Sequence, residues 1–209
     1  MITVKEMPPR EKFELAEQNL AMVRRAARAF VHDHLGPAAV QEMENRWQEG
    51  TVASPDGASS AEQYEAAYAN LMHTGRTAYG FVREKLGEEG VEQFGQAEAN
   101  ALIEDNASLA LWMLALIRAF MPGRAFKMTA EQFAYKFQWL TPFTVAELSE
   151  QRTVYDIPAC KILDYPGTDD LCHVACQRVY PRWIADQFKV KAVFEPHGKA
   201  CTLTATPLY

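Results

Sequence analysis

Four cysteines in the last quarter of the chain are the residues best suited to chemistry. Cys160, Cys172 and Cys176 lie in the segment CKILDYPGTDDLCHVAC, and Cys201 follows in GKACTLT. Cysteines at this density can form a disulfide staple, hold a metal ion, act as nucleophiles, or fill a core as small apolar residues. The types and spacing of the neighbouring residues decide how far each use is favoured.

A nucleophilic thiol needs a base or a cation beside it, because the thiolate is the attacking species. His173 and His197 are the local bases, and Arg178 and Lys199 are the local cations. A carboxylate such as Asp164 could then activate water to resolve the covalent adduct, or protonate the leaving group. We therefore take His173, Arg178 and His197 as candidate substrate-binding residues. Core packing stays open for each cysteine, because free cysteine is among the most buried residue types.

A metal site and a disulfide are the less favoured uses of these cysteines. Cys172 and Cys176, spaced i, i+4, would project from one face of a helix, and Cys160 with Cys201 could complete a four-thiolate site. Structural zinc sites usually use tight C-x2-C pairs, and the sequence has none. We therefore predict no metal ligand and no cofactor. Cytoplasmic thiols are normally kept reduced, which makes a disulfide framework the least favoured use.

The composition is that of an ordinary globular protein, with 48% hydrophobic and 23% charged residues. The formal net charge is −6, and no run of lysines or arginines offers a basic face to nucleic acid. The N-terminal segment has no apolar stretch that could act as a signal sequence. The most apolar segment, 107–121, is too short to span a bilayer and carries Arg118. We expect a soluble, cytoplasmic protein without nucleic-acid or membrane partners.

The first part of the chain, 11–121, has the apolar spacing of helices. One helix is predicted from Phe13 to Leu35 and another from Pro37 to Gln48, with a loop over 49–60. A further helix, from about Ala97 to Met121, is apolar nearly all round after Asn106 and should lie centrally in the helical layer. Its apolar stretch could also contribute to a homodimer interface.

An internal repeat divides this helical part into two similar units. The segment AFVHDHLGPAAVQEM (29–43) aligns without gaps to GFVREKLGEEGVEQF (80–94), at an offset of 51 residues. Each copy is predicted as a helix, a Leu-Gly stop and a second helix. The shared apolar positions should therefore be buried in the same way in both copies.

Beyond Met128 the pattern changes to that of strands. The segments FTVAELSEQ, RTVYDIPACKIL, KVKAVFEP and ACTLTATPL have strand character, Cys160 ends the second of them, and a turn is expected at Pro196–Gly198. EQFAYKFQWL (131–140) could be helical or extended. Residues 167–188 are predicted as a helix, with Thr168 as its N-cap and a kink or break at Pro181.

These elements predict an α+β fold. A helical layer built from helix–Leu-Gly–helix units would occupy 1–128. An antiparallel β-β-α-β-β unit carrying the cysteines would occupy 129–209, and the two regions could form one compact unit.

The order of motifs in the second region matches a known pattern. VAELSEQRTVYDIPAC supplies an acidic strand and Cys160, and Asp164 is an acidic residue four places later. DDLCHVAC ends a helix segment with Cys176, and GKACTLT places Cys201 on a late strand. With these features the span 144–204 resembles the L-2-amino-thiazoline-4-carboxylic acid hydrolase family. Cys172 has no counterpart in the pattern and is left outside the predicted site.

The resemblance implies a small-molecule hydrolase acting on non-peptide carbon–nitrogen bonds, for example by opening a small heterocycle. It implies that Cys160, Cys176, Asp164 and Cys201 are catalytic, in a cysteine-lined pocket under the helical layer. The chain departs from the family pattern at Val179, where an acidic residue is usual, and it lacks the G-F-N-P phrase before the late strand. The alternative function is a non-catalytic small-molecule binding or sensing protein of the same fold.

Overall fold

The chain folds into helices followed by a four-stranded antiparallel sheet, which confirms the predicted α+β class. The computed structural model describes residues 4–106 and 120–208. Its helices are α1 (Pro9–Leu35), α2 (Pro37–Gln48), α3 (Ser60–Asn106), α4 (Pro122–Lys136) and α5 (Tyr180–Phe188). Its strands are β1 (Thr144–Leu148), β2 (Thr153–Ile157), β3 (Val190–His197) and β4 (Ala200–Pro207).

A glycine interrupts the helix in each of the two repeated units. Gly36, between α1 and α2, has φ 82° and ψ 175°, and Gly87, inside α3, has φ 71° and ψ −166°. This backbone region is essentially restricted to glycine, because a Cβ atom would be strained there against the adjoining backbone. The two Leu-Gly stops predicted from the repeat are therefore confirmed, and α3 consists of two arms, 60–86 and 88–106.

The helical layer is held together by α1 lying along α3, with apolar side chains buried between them. One buried cluster is centred on Phe30, Val31, Phe81, Val82 and Phe94, and a second on Leu20, Val23, Tyr68, Leu71 and Ile162. Each cluster also includes residues from the second half of the chain, so the two halves share their cores. The boundary expected between 128 and 129 falls inside α4.

The sheet has the strand order β1-β2-β4-β3, and every neighbouring pair is antiparallel. Helices cover one of its faces, where Ala134 of α4 and Ile184 of α5 pack against Tyr155 and Leu203. The alternate positions of β4, among them Thr202 and Thr204, lie on the other face. This alternation is typical of a sheet with one covered face.

The segment between β2 and β3 differs most from its prediction. A 3-10 helix (Lys161–Asp164) follows β2, so Cys160 lies three residues beyond the strand that it was expected to end. The predicted single helix over 167–188 is a π-helix (Leu171–Val179) that continues into α5. Pro181 lies in the first turn of α5, where proline is tolerated, and the change from π-helix to α-helix between Val179 and Tyr180 does not interrupt the helical backbone.

Thr168 has a different role from the predicted N-cap. Its hydroxyl donates to the carbonyl oxygens of Ile162 at 2.6 Å and Tyr165 at 2.7 Å. The hydroxyl therefore ties the loop before the π-helix to the 3-10 helix. It does not accept a hydrogen bond from the first turn of the following helix, as an N-cap would.

Three further expectations change or are resolved. α4 begins at Pro122, directly after the expected end of the helix predicted to Met121, and 131–140 is helical through Trp139. The β3–β4 turn is Gly198–Lys199, with Gly198 at φ 67°, so the turn begins two residues later and ends one residue later than expected. Of the helix predicted from Ala97 to Met121, 97–106 belongs to α3, and 107–119 lies outside the described residues. No helix within the described ranges is long and apolar enough to cross a membrane.

Candidate functional site

The four cysteines are contributed by three separate segments. Cys160 immediately precedes the 3-10 helix, Cys172 and Cys176 belong to the π-helix, and Cys201 is on β4. All four are free thiols and all four are partly buried. Cys201 shares a sheet face with Leu203, two residues along β4, and that face is the one covered by helices.

These thiols converge. A thiolate at Cys172 would raise the pKa of each of the other three cysteines, so all four lie within electrostatic range of one another. Cys160 and Cys201 both act in the same sense on the pKa of Cys176. The cluster therefore includes Cys172, which the sequence pattern left outside the predicted site.

Cys160 has the most polar surroundings of the four. Burial raises its pKa, but the backbone N–H groups of Ile162 and Leu163 and the side chain of Thr141 form hydrogen bonds that oppose this rise. The N–H of Cys160 donates to the carbonyl of Lys199 at 2.7 Å, which holds the residue beside the β3–β4 turn. Donors directed at a sulfur stabilise its anion, but burial outweighs them here, and the net pKa of Cys160 is raised.

Burial also favours the protonated form of Cys176 and of Cys201. It raises the pKa of Cys176 well above the ordinary value for a thiol, and it raises the pKa of Cys201 to about 11. The neighbouring cysteines add to both shifts, since two thiolates repel each other at short range. Nucleophilic attack by either sulfur at neutral pH would therefore need a base that removes the proton during the reaction.

Asp164 lies at the surface. It ends the 3-10 helix, and its Oδ1 accepts a hydrogen bond from the Lys199 Nζ at 2.8 Å. More than half of each side chain is exposed, at 62% for Lys199 and 55% for Asp164. The pair links the 3-10 helix to the β3–β4 turn, next to the backbone of Cys160.

The three residues proposed for substrate binding are all exposed: His173, Arg178 and His197. His173 is on the π-helix, and its Nδ1 lies 3.1 Å from the Nε2 of Gln177. The same Nε2 lies 3.5 Å from the sulfur of Cys172. Gln177 therefore contacts both His173 and Cys172, and so links one predicted binding residue to the cysteine cluster. His197 ends β3, at the turn.

A buried acid that the sequence analysis did not identify lies beside the cluster. Glu98, in the second arm of α3, is only 5% exposed, and the Tyr79 hydroxyl donates to its Oε2 at 2.7 Å. Burial raises the pKa of Glu98 to about 7, although the hydrogen bond from Tyr79 opposes the shift. The charge of Glu98 in turn raises the pKa of Cys176 and of Tyr180. Glu98 is thus a buried carboxyl group whose charge reaches one thiol of the cluster, Cys176.

A close helix contact places this acid against the π-helix. Gly95 lies three residues before Glu98, and a Cβ built on it would be 3.0 Å from Val179 Cγ2 and 3.7 Å from Val174 Cγ1. The absence of a side chain at Gly95 therefore lets the backbone of α3 approach the π-helix that carries Cys176. Short π-helical segments of this kind are frequent at functional sites.

The sequence contains a signal that could have identified Glu98. Val91 and Phe94 are fully buried, and Glu98 continues their stripe at helical spacing. A carboxylate on an apolar stripe needs a partner, because burying an uncompensated charge is costly. Its partner, Tyr79, is on the other side of the Gly87 break, so the pairing depends on the tertiary structure.

Within the part of the chain that the structure describes, no group of three or more histidine, cysteine or acidic side chains is arranged to hold a metal ion. A scan against protein-family models and searches of curated proteins and of solved structures returned no match to this chain. The geometry of the cysteines and of Glu98 therefore carries the functional argument.

Proposed function

We propose that the chain is a small-molecule hydrolase that cleaves a non-peptide carbon–nitrogen bond, such as one in a small heterocycle, with a cysteine as nucleophile. The observation that carries this proposal is the convergence of four free thiols from three segments of the chain. The motif resemblance to the L-2-amino-thiazoline-4-carboxylic acid hydrolase family supports the same reaction class.

In this reaction a thiol sulfur adds to the electrophilic carbon and forms the S–C bond. The C–N bond breaks, its electron pair goes to nitrogen, and the proton released by the thiol also goes to that nitrogen. Water then attacks the carbon of the covalent adduct and releases the free thiol. Cys160 and Cys176 are the candidate nucleophiles: hydrogen-bond donors surround the first, and the second lies beside Glu98.

Turnover of single-cysteine variants tests the proposal. The substrate panel would be small cyclic amidines and thioamidines, including 2-amino-thiazoline-4-carboxylate. Cys160→Ser or Cys176→Ser should lower kcat/KM at least about 100-fold, because loss of a nucleophile removes the covalent route. The thermal midpoint of each variant should stay within a few degrees of the parent. Full turnover in both variants would exclude a thiol mechanism.

A second function is favoured by the raised thiol pKa values. Neutral, partly buried thiols line a binding site without reacting, and burial keeps Cys176 and Cys201 in that form. In a non-catalytic binding protein, compounds from the same panel would raise the thermal midpoint without being consumed. Saturable binding with no product after prolonged incubation would select this function over hydrolysis.

A further inference from the structure

Thr141 lies between α4 and β1, and its side chain is buried, at 1% exposed. A buried hydroxyl costs free energy unless it is hydrogen-bonded. The Thr141 Oγ1 accepts a hydrogen bond from the backbone N–H of Lys161 at 3.0 Å, and it donates to the backbone carbonyl of Ala159 at 3.3 Å. One hydroxyl group therefore binds the residue before Cys160 and the residue after it.

The backbone groups of Cys160 itself are held by two other segments. Its N–H donates to the carbonyl of Lys199 at the β3–β4 turn, at 2.7 Å, and its carbonyl accepts from the N–H of Leu163 in the 3-10 helix, at 3.0 Å. With the two hydrogen bonds of Thr141, these contacts fix the backbone on both sides of the sulfur. Rigid placement of a nucleophile favours its reaction with a bound substrate, because less orientational freedom is lost in reaching the transition state.

The first arm of α3 fixes the segment that carries Thr141. The hydroxyls of Tyr64 and Tyr68 donate to the backbone carbonyls of Trp139 and Leu140, the two residues before Thr141. Thr141 therefore follows a segment that is anchored to a helix.

The same two tyrosines also hold the residue after Cys160. The Lys161 ammonium lies 4.3 Å from the centre of the Tyr64 ring and 4.4 Å from that of Tyr68. It also donates to both carboxylate oxygens of Glu65, at 2.8 Å each. An ammonium held by two aromatic faces and a carboxylate has little freedom to move. The first arm of α3 therefore anchors both segments that the Thr141 hydroxyl joins.

We propose that Thr141 is the positioning residue of Cys160: its hydroxyl fixes the backbone on both sides of this nucleophile and donates a hydrogen bond to the sulfur when the thiolate forms. This inference rests on the proposed hydrolase function and names Cys160 as the nucleophile. Thr141 keeps its own proton throughout, and the thiol proton goes to the leaving nitrogen as described above.

The choice of acceptor by the Thr141 hydroxyl follows from its geometry. The hydroxyl has one proton to direct, either to the carbonyl of Ala159 or to the sulfur of Cys160. The bond to Ala159 is long, at 3.3 Å, and a thiolate is a stronger acceptor than a carbonyl because it is charged. Burial raises the pKa of Cys160, and the hydrogen bond from the Thr141 side chain is among those that oppose the rise.

Alkylation of Cys160 by iodoacetamide, measured as a function of pH, tests this inference without any substrate. Trypsin releases Cys160 in the peptide TVYDIPACK (153–161), which has no other cysteine, so mass spectrometry follows this thiol alone. Thr141→Val keeps the shape of the side chain and removes the hydroxyl. The inflection of the profile should move to higher pH, and the rate at pH 8 should fall about 3-fold or more, because the sulfur anion loses a donor.

A purely structural role for Thr141 predicts the opposite sign. If Thr141 only tied the two segments together, Thr141→Val would expose Cys160, weaken the burial that raises its pKa, and speed alkylation. A faster or an unchanged rate would overturn the proposal. Thr153→Val is the matched control, since Thr153 is fully buried in β2 and its hydroxyl has no hydrogen-bond partner among the described residues. It should leave the profile unchanged, and a shift as large as that of Thr141→Val would also overturn the proposal.

Thr141→Ser provides a second test that does not depend on the folding of Thr141→Val. Serine keeps the hydroxyl and removes only a methyl group, so the inflection should stay at the pH of the parent protein. An inflection at higher pH in this variant would overturn the proposal. Because these assays use no substrate, a Cys160 profile that is independent of Thr141 would count against the positioning role alone. Absence of turnover would count against the hydrolase function alone.

Discussion

The hairpin around Gly36 and the hairpin around Gly87 place equivalent residues in equivalent surroundings. Phe30 and Val31 in the first copy and Phe81 and Val82 in the second are all buried in one cluster. Because the two glycines adopt nearly the same backbone conformation, each hairpin brings the end of its second helix back beside its first. The repeat found in the sequence is therefore also a repeat of contacts.

One pair of positions in the repeat has diverged in chemistry. At the offset of 51 residues, Tyr79 and Glu98 in the second hairpin correspond to Arg28 and Trp47 in the first. The Arg28 guanidinium lies 5.8 Å from the centre of the Trp47 ring, and the Tyr79 hydroxyl binds Glu98 at 2.7 Å. The same backbone thus supports a cation–aromatic contact at the surface and a buried acid in the interior.

What covers each hairpin explains the difference. Gly95 corresponds to Glu44, which pairs with Arg28 at the surface. Gly95 itself lies under Val174 and Val179 of the π-helix. A side chain is tolerated where the position faces solvent and excluded where a second element packs on it. The two hairpins share one backbone geometry. The element that packs on each hairpin decides which of its side chains are exposed and which are buried.

The largest expected effect comes from the matched core positions Phe94 and Met43, which are both fully buried. Phe94→Ala should lower the free energy of unfolding by about 3–5 kcal/mol and Met43→Ala by about 2–5 kcal/mol, because each leaves a cavity. Urea unfolding measures both. A loss below about 1 kcal/mol in either variant would contradict the shared core.

The next effect is specific to the second hairpin and depends on pH. The folded-state pKa of Glu98, about 7, lies above its ordinary value of 4.5, so the folded chain binds this proton more tightly than the unfolded chain does. The contribution of Glu98 to stability is therefore fully present below pH 4.5 and is lost as the pH rises towards 7. A shift of this size corresponds to about 3 kcal/mol.

Glu98→Gln removes this dependence, because glutamine does not titrate. Relative to the parent, its free energy of unfolding should rise by about 3 kcal/mol between pH 4.5 and pH 8. Denaturant unfolding at a series of pH values measures the difference, with Glu89→Gln as control. If the difference in unfolding free energy between parent and variant stays constant with pH, folding does not raise the pKa of Glu98.

Substitutions of the two glycines at the helix breaks test whether both copies of the repeat need the same backbone conformation. Gly36→Ala and Gly87→Ala should each lower the free energy of unfolding by about 1–3 kcal/mol through backbone strain. A Cβ at either position would meet no atom within 4 Å, so strain is the only new term. Equal losses by thermal or urea unfolding would support the equivalence. A loss at one glycine alone would show that the copies differ in their backbone requirements.

The smallest effect is expected for the surface contact of the first hairpin. Arg28 is 52% exposed where it pairs with Glu44, and it lies over the Trp47 ring. Exposed ion pairs and exposed cation–aromatic contacts are weak, so Arg28→Ala should cost less than about 1 kcal/mol. A loss above about 1 kcal/mol would show that this contact is more than a weak surface interaction.

Local sequence signals were sufficient for most of the fold. The Leu-Gly stops at Gly36 and Gly87, the loop over 49–60 and all four strands could be predicted, because turn residues and periodicity act over short distances. The π-helix and the 3-10 helix could not. Both depend on how the segment between β2 and β3 packs between the sheet and α3, and helical periodicity cannot distinguish a π-helix from an α-helix.

For the candidate site, too, some features could be predicted from the sequence and others depend on the fold. The sequence identified the cysteines by their type and spacing, but it separated Cys172 from the others, whereas the fold brings all four together. It treated Asp164 as part of the pocket, and the structure places that carboxylate at the surface beside Lys199. A short polar side chain near a cysteine in sequence can turn towards solvent at little cost.

The sequence by itself determined the α+β class, the duplicated helical hairpin and the presence of four cysteines in the second region. Residue type and periodicity encode these features directly. Only the tertiary structure decided which groups meet: the Gly87 break returns Glu98 to Tyr79, and Gly95 admits the π-helix that carries Cys176. The physical reason is that burial and proximity set the pKa of a group, and both arise from packing between residues distant in the chain.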